Sequence, residues 1–334
     1  MRHAVVVLIL FACVLAAFAG MALAPGAKSS GAIEALPTVA LECDPAAAPT
    51  VLPIESDSSL LASIGVPESG EFCGQQIPLE RLEIRDALQY ELILSAGRPL
   101  MPMLWTRRAP SVLPMIEAKL AAAGLPGDLK YLAMVESDLR LTVRSPAGAL
   151  GLWQFMPATA QRYGLHVGRH LDERMDSELA TDAAVAHLAD LHAIFDDWFL
   201  VAAAYNAGES RVKKALESQR EESYFDLFLP AETRRYVYRM IAAKMIYTSP
   251  EEYGIEPLAP IHIEEFDRVL VEVNASRADL RKLAAERGLR YAQIRRSNPK
   301  LISSWLPRGS HYLRIPRASS GSESQESTGA DADS

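Results

Sequence analysis

An apolar run, Leu132 to Val135, ends in Glu136-Ser137-Asp138, and a loop of small residues, "SPAGALGLWQF", follows with a Trp-Gln pair inside it. Two acids so close invite the idea of a carboxylate pair acting on a glycosidic bond. On a helix, however, residues two apart face different ways, and the paired carboxyls of a glycosidase stand about 5 Å or more apart across a sugar. A partner for Glu136 must therefore come from elsewhere. Asp172, Glu173 and Asp176 in "LDERMD" are candidates by type, although such clusters commonly serve as solvated turns or helix-start charges. Glu136 itself follows Ala-Met-Val. A carboxyl held against apolar neighbours is biased toward its neutral form, which a general acid needs near neutral pH. An isolated Glu near a helix end is ordinarily a surface residue, so the chemistry depends on what surrounds it.

Other chemistries find less support. His166 and His170 have i, i+4 spacing, but Gly168 lies between them and no Cys or third His stands nearby; His187 and His192 do not share a helical face. No HExxH occurs, and no metal or cofactor site is expected. Gly148 and Gly151 complete neither a phosphate-binding loop nor a dinucleotide fingerprint, and no Gly-Xaa-Ser-Xaa-Gly elbow is present. The formal net charge of -8 and the absence of a basic run argue against a nucleic-acid partner.

The elements that would position Glu136 are helical. Residues 1–24 read as a signal peptide or N-terminal membrane anchor: Arg2 precedes an uncharged apolar run to Ala24, with a cleavage site after Ala17-Phe18-Ala19 or retention as an anchor. Cys13 in "LFAC" is a poor lipidation match. Residues 25–78 are rich in Ala, Pro, Ser and Gly and read as a loosely packed arm. An exported chain with two remaining cysteines suggests a Cys43–Cys73 disulfide, whose 30-residue separation is worth roughly 3–4 kcal/mol in the chain-entropy account. Helical spacing begins near Leu79 and recurs in "SVLPMIEAKLAAAG", "PGDLKYLAMVES", "SELATDAAVAHLADLHAIF", "DWFLVAAAYNAG", "ESRVKKALES" and "AETRRYVYRMIAAKMIY". No alternating strand pattern interrupts Leu79 to Tyr247, so residues 79–257 are expected to be all-α.

From about Ile261 the rhythm changes. "VLVEV", "SRADLRKLAAERGL", "RYAQIRRSNPKL" and "HYLRIP" predict strand, two short helices and strand, a small βααβ module over 261–317, with Ser276 and Asp279 spaced as a capping pair. The polar, acidic residues 318–334 are expected to be disordered.

Five pieces in order carry a family resemblance: "LPGDLKYLAMVES", "SPAGALGLWQFMPATAQRYGL", "DERMD", "AAAYNAGESRVKKAL" and "LPAETRRYVYRMIAAKMI". Together the chain resembles the lytic transglycosylases with a goose-lysozyme-like (SLT) catalytic domain, most of all the membrane-bound lytic murein transglycosylase D type. The resemblance implies a mainly α, lysozyme-like catalytic domain acting on peptidoglycan glycan strands in the periplasm or cell envelope. It leaves room for partners among cell-wall synthesis or division proteins. By resemblance, Glu136 matches the single catalytic acid and base; Ser145 and Gln154 match substrate-contacting residues beside it, with Gly148 and Gly151 letting the loop backbone approach the sugar. Tyr205 and Asn206 match the polar cleft wall, and Tyr236 the late tyrosine that closes the site over the N-acetylmuramyl ring. The implied reaction cleaves the MurNAc-β-1,4-GlcNAc bond and closes a 1,6-anhydro ring, with the substrate's acetamido group standing in for a second carboxylate. A goose-type lysozyme-like hydrolase and a non-catalytic peptidoglycan-binding protein are the alternatives. The last module resembles a LysM carbohydrate-binding fold in "LRKLAAERGL", "RRSNPKL" and "YLRIP", but departs from it at "NASRADL", where the usual Gly-Asp-Thr-Leu turn is replaced, making it a degenerate LysM-like module.

Overall fold

A computed structural model describes residues 58–261 and 265–317. The signal or anchor segment, most of the proposed arm, Cys43 with its expected bridge to Cys73, and the acidic tail lie outside the described residues. Among those described, no helix is long and apolar enough to cross a membrane.

The chain is mostly helical, with a small strand-containing module at its C-terminal end. In chain order the helical part holds α1 (Ser58–Ser63), α2 (Leu82–Ala96), α3 (Leu100–Arg108), α4 (Leu113–Ala122), α5 (Lys130–Ser137), α6 (Pro157–Arg162), α7 (Ser177–Phe195), α8 (Trp198–Ala207), α9 (Glu209–Gln219) and α10 (Ala231–Thr248). The segments with helical spacing became helices. Three short ones were not anticipated: α1, in the stretch read as an arm, and α3 and α6, which hold proline, a breaker in mid-helix. Pro102 and Pro157 instead fall in first turns, where no intrahelical N–H is needed.

Three helices frame the site. α5 is short and buries Tyr131, Leu132, Ala133 and Met134 in succession, so it is wrapped on all sides. α8 is apolar all round, with every residue from Trp198 to Ala204 buried, the pattern of a helix inside the core rather than on its surface. α10 packs against α2, α5 and α8.

The arm ends earlier than residue 78. Ile64, Phe72, Cys73, Ile77 and Leu79 join the main core. Phe72 and its neighbours form a tight hairpin, β1 (Glu71–Phe72) against β2 (Gln75–Gln76), turned by Cys73 and Gly74 at positive φ. Its tip closes α8: Gln75 accepts from the Trp198 N–H at 2.6 Å and donates to the N-cap residue Asp197 at 3.2 Å. Composition misled here, because the few apolar residues in a Gly- and Pro-rich stretch each found a place in the core.

The C-terminal module has the expected order: β3 (Phe266–Asp279), α11 (Leu280–Ala285), α12 (Tyr291–Ser297) and β4 (Trp305–Pro316), with β3 and β4 antiparallel. The first strand runs on past the expected run, and a register irregularity between Val273 and Arg277 absorbs the segment that holds Ser276. The N-cap of α11 is Asp279, which accepts from the Arg281 N–H; Ser276 stays in the strand and does not cap. The module's apolar core includes Leu171, contributed by the helical part.

Candidate active site

Glu136 occupies the last turn of α5. The helix stops at Asp138, which takes the left-handed conformation (φ 52°), and Leu139 follows at φ 60°. Two consecutive non-glycine residues at positive φ are costly, and buried Leu139 together with polar contacts holds them. The Asp138 carboxylate accepts from Trp105 Nε1 at 3.0 Å, and its carbonyl accepts from Arg108 at 3.0 Å. Asp138 is thus a terminator of the helix, in keeping with the expectation that it does not face Glu136.

The loop that follows is held by its own side chains. Ser145 Oγ accepts from the Ala149 N–H at 3.0 Å, and the Ser145 and Ala149 backbones pair at 2.9 Å. Gln154, at φ 49°, donates its amide to the carbonyls of Val143 (3.0 Å) and Gly151 (2.8 Å). Gly151 was expected to let the backbone approach a sugar. What approaches it here is protein: a Cβ at this position would lie 1.9 Å from the Arg174 carbonyl oxygen. Ser137 ties the loop to the helix, its buried hydroxyl lying 2.8 Å from the Leu152 carbonyl.

Tyr236 and Tyr205 come to the acid from α10 and α8. The Tyr236 hydroxyl donates to Glu136 Oε1 at 2.6 Å. Tyr205 donates to the Trp153 carbonyl at 2.8 Å, and Trp153 is itself buried and donates to Thr181 Oγ1 at 2.9 Å. Asn206 accepts from Thr233 Oγ1 at 3.0 Å, joining α8 to α10. Burial pushes the Glu136 carboxyl up from 4.5 to about 7; the Tyr236 hydrogen bond and Arg239 oppose that rise, while Glu232 adds to it. Both tyrosines are pushed well above their usual value, by burial first and by the Glu136 charge second. Tyr236 is 2% exposed, packed in the core with its hydroxyl on the carboxyl.

The acids weighed as second carboxylates are engaged elsewhere. Asp172 pairs with Arg174 through two hydrogen bonds, both side chains buried. Glu173 accepts from the His166 N–H. Asp176 caps α7 and pairs with Lys300 at 2.7 Å. Sequence reasoning missed Glu232 and Arg239, whose charges act on Glu136 and which line a groove of about 620 Å³ together with Trp105, Val135, Asp138 and Arg235. Both sit in "ETRRYVYR", but nothing in that spacing alone says which side of α10 faces α5. Among the described residues no three or more His, Cys, Asp or Glu side chains gather as metal ligands.

Residues 114–228 match the Transglycosylase SLT domain family, a span that contains Glu136 and its loop. Tyr236 lies just beyond the matched span, on α10. Over 219 residues, 64% of this chain and 48% of the relative, the sequence is 32% identical to membrane-bound lytic murein transglycosylase D of Escherichia coli K12. Over 86 residues it is 43% identical to peptidoglycan transglycosylase gp16 of Escherichia phage T7, covering 25% of this chain and 6% of that one. Among solved structures, the lytic transglycosylase Slt of Pseudomonas aeruginosa aligns at 25% identity and a TM-score of 0.35, over 45% of this chain and 25% of that one. The chain spans about half the length of the membrane-bound relatives it matches.

Proposed function

We propose that the protein is a peptidoglycan lytic transglycosylase of the cell envelope, with Glu136 as its only catalytic acid and base. The observation that carries this reading is a buried carboxyl, pushed up to about 7 by burial and gripped by one tyrosine, whose chain neighbours Val135 and Asp138 line a groove.

Protonated Glu136 donates its proton to the oxygen linking MurNAc to GlcNAc as the C1–O bond breaks. The MurNAc acetamido oxygen attacks C1 and carries the charge that a second carboxylate would otherwise bear. Glu136, now ionised and stabilised by the Tyr236 hydroxyl, takes the proton of the C6 hydroxyl as O6 displaces the acetamido oxygen. The acetamide is restored and the product ends in 1,6-anhydro-MurNAc, with no water consumed. Ser145 keeps its hydroxyl proton for a sugar contact, since its oxygen only accepts within the loop. Gln154 presents a fixed amide, and Tyr205 and Asn206 support the far wall. The N-terminal apolar segment fits export with cleavage or membrane retention, and the last module fits a degenerate LysM-like fold.

Glu232 favours one rival. A second acid in the groove, with its charge felt by Glu136, could orient water and make the enzyme a hydrolase. Mass spectrometry of products from purified peptidoglycan separates the two: the lyase releases anhydro-muropeptides, whereas hydrolysis yields products heavier by one water. Products carrying that water throughout would overturn the proposal.

A further inference from the structure

The same segment that carries Asp172, Arg174 and Asp176 touches two parts of the molecule at once. On one side Arg174 Nη1 donates to the carbonyls of Gly148 (3.1 Å) and Phe155 (3.0 Å), one within and one at the end of the loop that follows Glu136. Its own carbonyl fills the space that Gly151 leaves open. On the other side the C-terminal module grips the segment through its backbone: the Asp172 N–H donates to the Lys300 carbonyl at 2.9 Å, the Ile302 N–H donates to the His170 carbonyl at 2.9 Å, and Leu171 bridges to Leu301. Side chains reinforce the seam. Lys300, 3% exposed, pairs with Asp176, and Arg314 donates to Ser177 Oγ at 2.7 Å and pairs with Glu178.

Two routes therefore run from the module to the catalytic loop. One passes from the Lys300 carbonyl through Asp172 to the Arg174 guanidinium. The other passes from the Lys300 ammonium through Asp176 to the start of α7, then along α7 to Thr181, which holds the Trp153 indole next to Gln154. Every link is buried or nearly so. A module tied on only to bring the enzyme to glycan would not need a buried ammonium and a strand-like seam to the segment that braces the active-site loop.

We propose that the C-terminal module is a brace for the catalytic loop, with Lys300 as a positioning residue whose ammonium acts through Asp176 and α7. The inference rests on the transglycosylase reading for its kinetic arm alone.

The test uses the full chain with Lys300→Ala, Lys300→Arg and, as a control on the module's exposed surface, Arg308→Ala. Turnover is measured on a soluble GlcNAc–MurNAc tetrasaccharide, and amide hydrogen exchange is followed by mass spectrometry. Lys300→Ala should lower kcat by about ten- to a hundredfold, since small misplacements of a catalytic group have costs of that order. KM should stay within about twofold on so short a substrate, because uniform binding is untouched. Exchange should quicken at the amides of residues 143–155, and Lys300→Arg should recover most of both effects. Arg308→Ala should change neither. Arg314→Ala leaves Lys300 in place and should move exchange in the same direction by less, which keeps the question answerable where Lys300→Ala fails to fold. Unchanged exchange at 143–155 in the Lys300 or Arg314 variant overturns the brace, whatever the reaction is. A loss confined to KM on whole sacculi also overturns it and assigns the module to glycan attachment.

Discussion

Glu136 and Asp172 are both acidic side chains in the interior, yet their surroundings prepare them for opposite work. Asp172 has a guanidinium across both oxygens and a backbone N–H as well. Its charge is matched, and giving it a proton would strip Arg174 of its partner. Glu136 has one neutral hydroxyl and the charge of Arg239, which only partly offset its burial. A carboxyl so poorly solvated can hold a proton near neutral pH and release it at modest cost, as an acid that must reverse its role requires. The difference lies in the partners more than in burial alone.

The contrast can be broken experimentally. Glu136→Gln should reduce release of anhydro-muropeptides by about a thousandfold or more with folding intact, the upper part of the range for removing a general acid; substantial residual release would move the chemistry to another group. Asp172→Ala should act on stability instead. It leaves Arg174 buried without its counter-charge, a change that costs about 3–5 kcal/mol and should appear as a lower urea midpoint. Glu136 also makes stability depend on pH. The folded state keeps the Glu136 proton up to about 7, against 4.5 when unfolded, so its contribution to stability is complete below 4.5 and is lost as pH rises through 7. Glu136→Gln removes that dependence and should stabilise the fold at pH 8 by about 2–3 kcal/mol, with no difference at pH 4, read from urea unfolding at both values. Smallest in effect, Tyr236→Phe should slow turnover about tenfold. Because the lost hydrogen bond favours the ionised form, the alkaline limb of kcat/KM should move upward from about 7.

Much of this was legible in the residues. The long helices announced themselves through apolar spacing, and the apolar run before Glu136 pointed to a raised carboxyl. The βααβ order of the last module was also readable, since its strands, helices and turns are short and local. What escaped were features decided across the chain. Prolines in α3 and α6 are harmless because of where each helix starts, a boundary that composition does not fix. The 64–79 stretch is core because α8 needed a cap for its N-terminus, supplied by Gln75 more than a hundred residues away. Glu232 and Arg239 face Glu136 only because α10 crosses α5, and Gly151 is glycine for the sake of Arg174. The resemblance supplied Ser145, Gln154, Tyr205, Asn206 and Tyr236; spacing alone would have selected none of them.

The abrupt stop of α5 has an electrostatic consequence. The peptide dipoles of a helix add up to a negative pole at its C-terminal end, and Glu136 lies in that last turn. The field there opposes a second negative charge and so works with burial to keep the proton on. Around the same pole, Arg239 donates to the Val135 carbonyl, Arg140 to that of Ser137 and Arg108 to that of Asp138. This ring of cations drains part of the field. Of the three, Arg239 is the one whose charge reaches Glu136 and loosens its hold on the proton, so that hold can be retuned from the helix end without touching the carboxyl or its tyrosine.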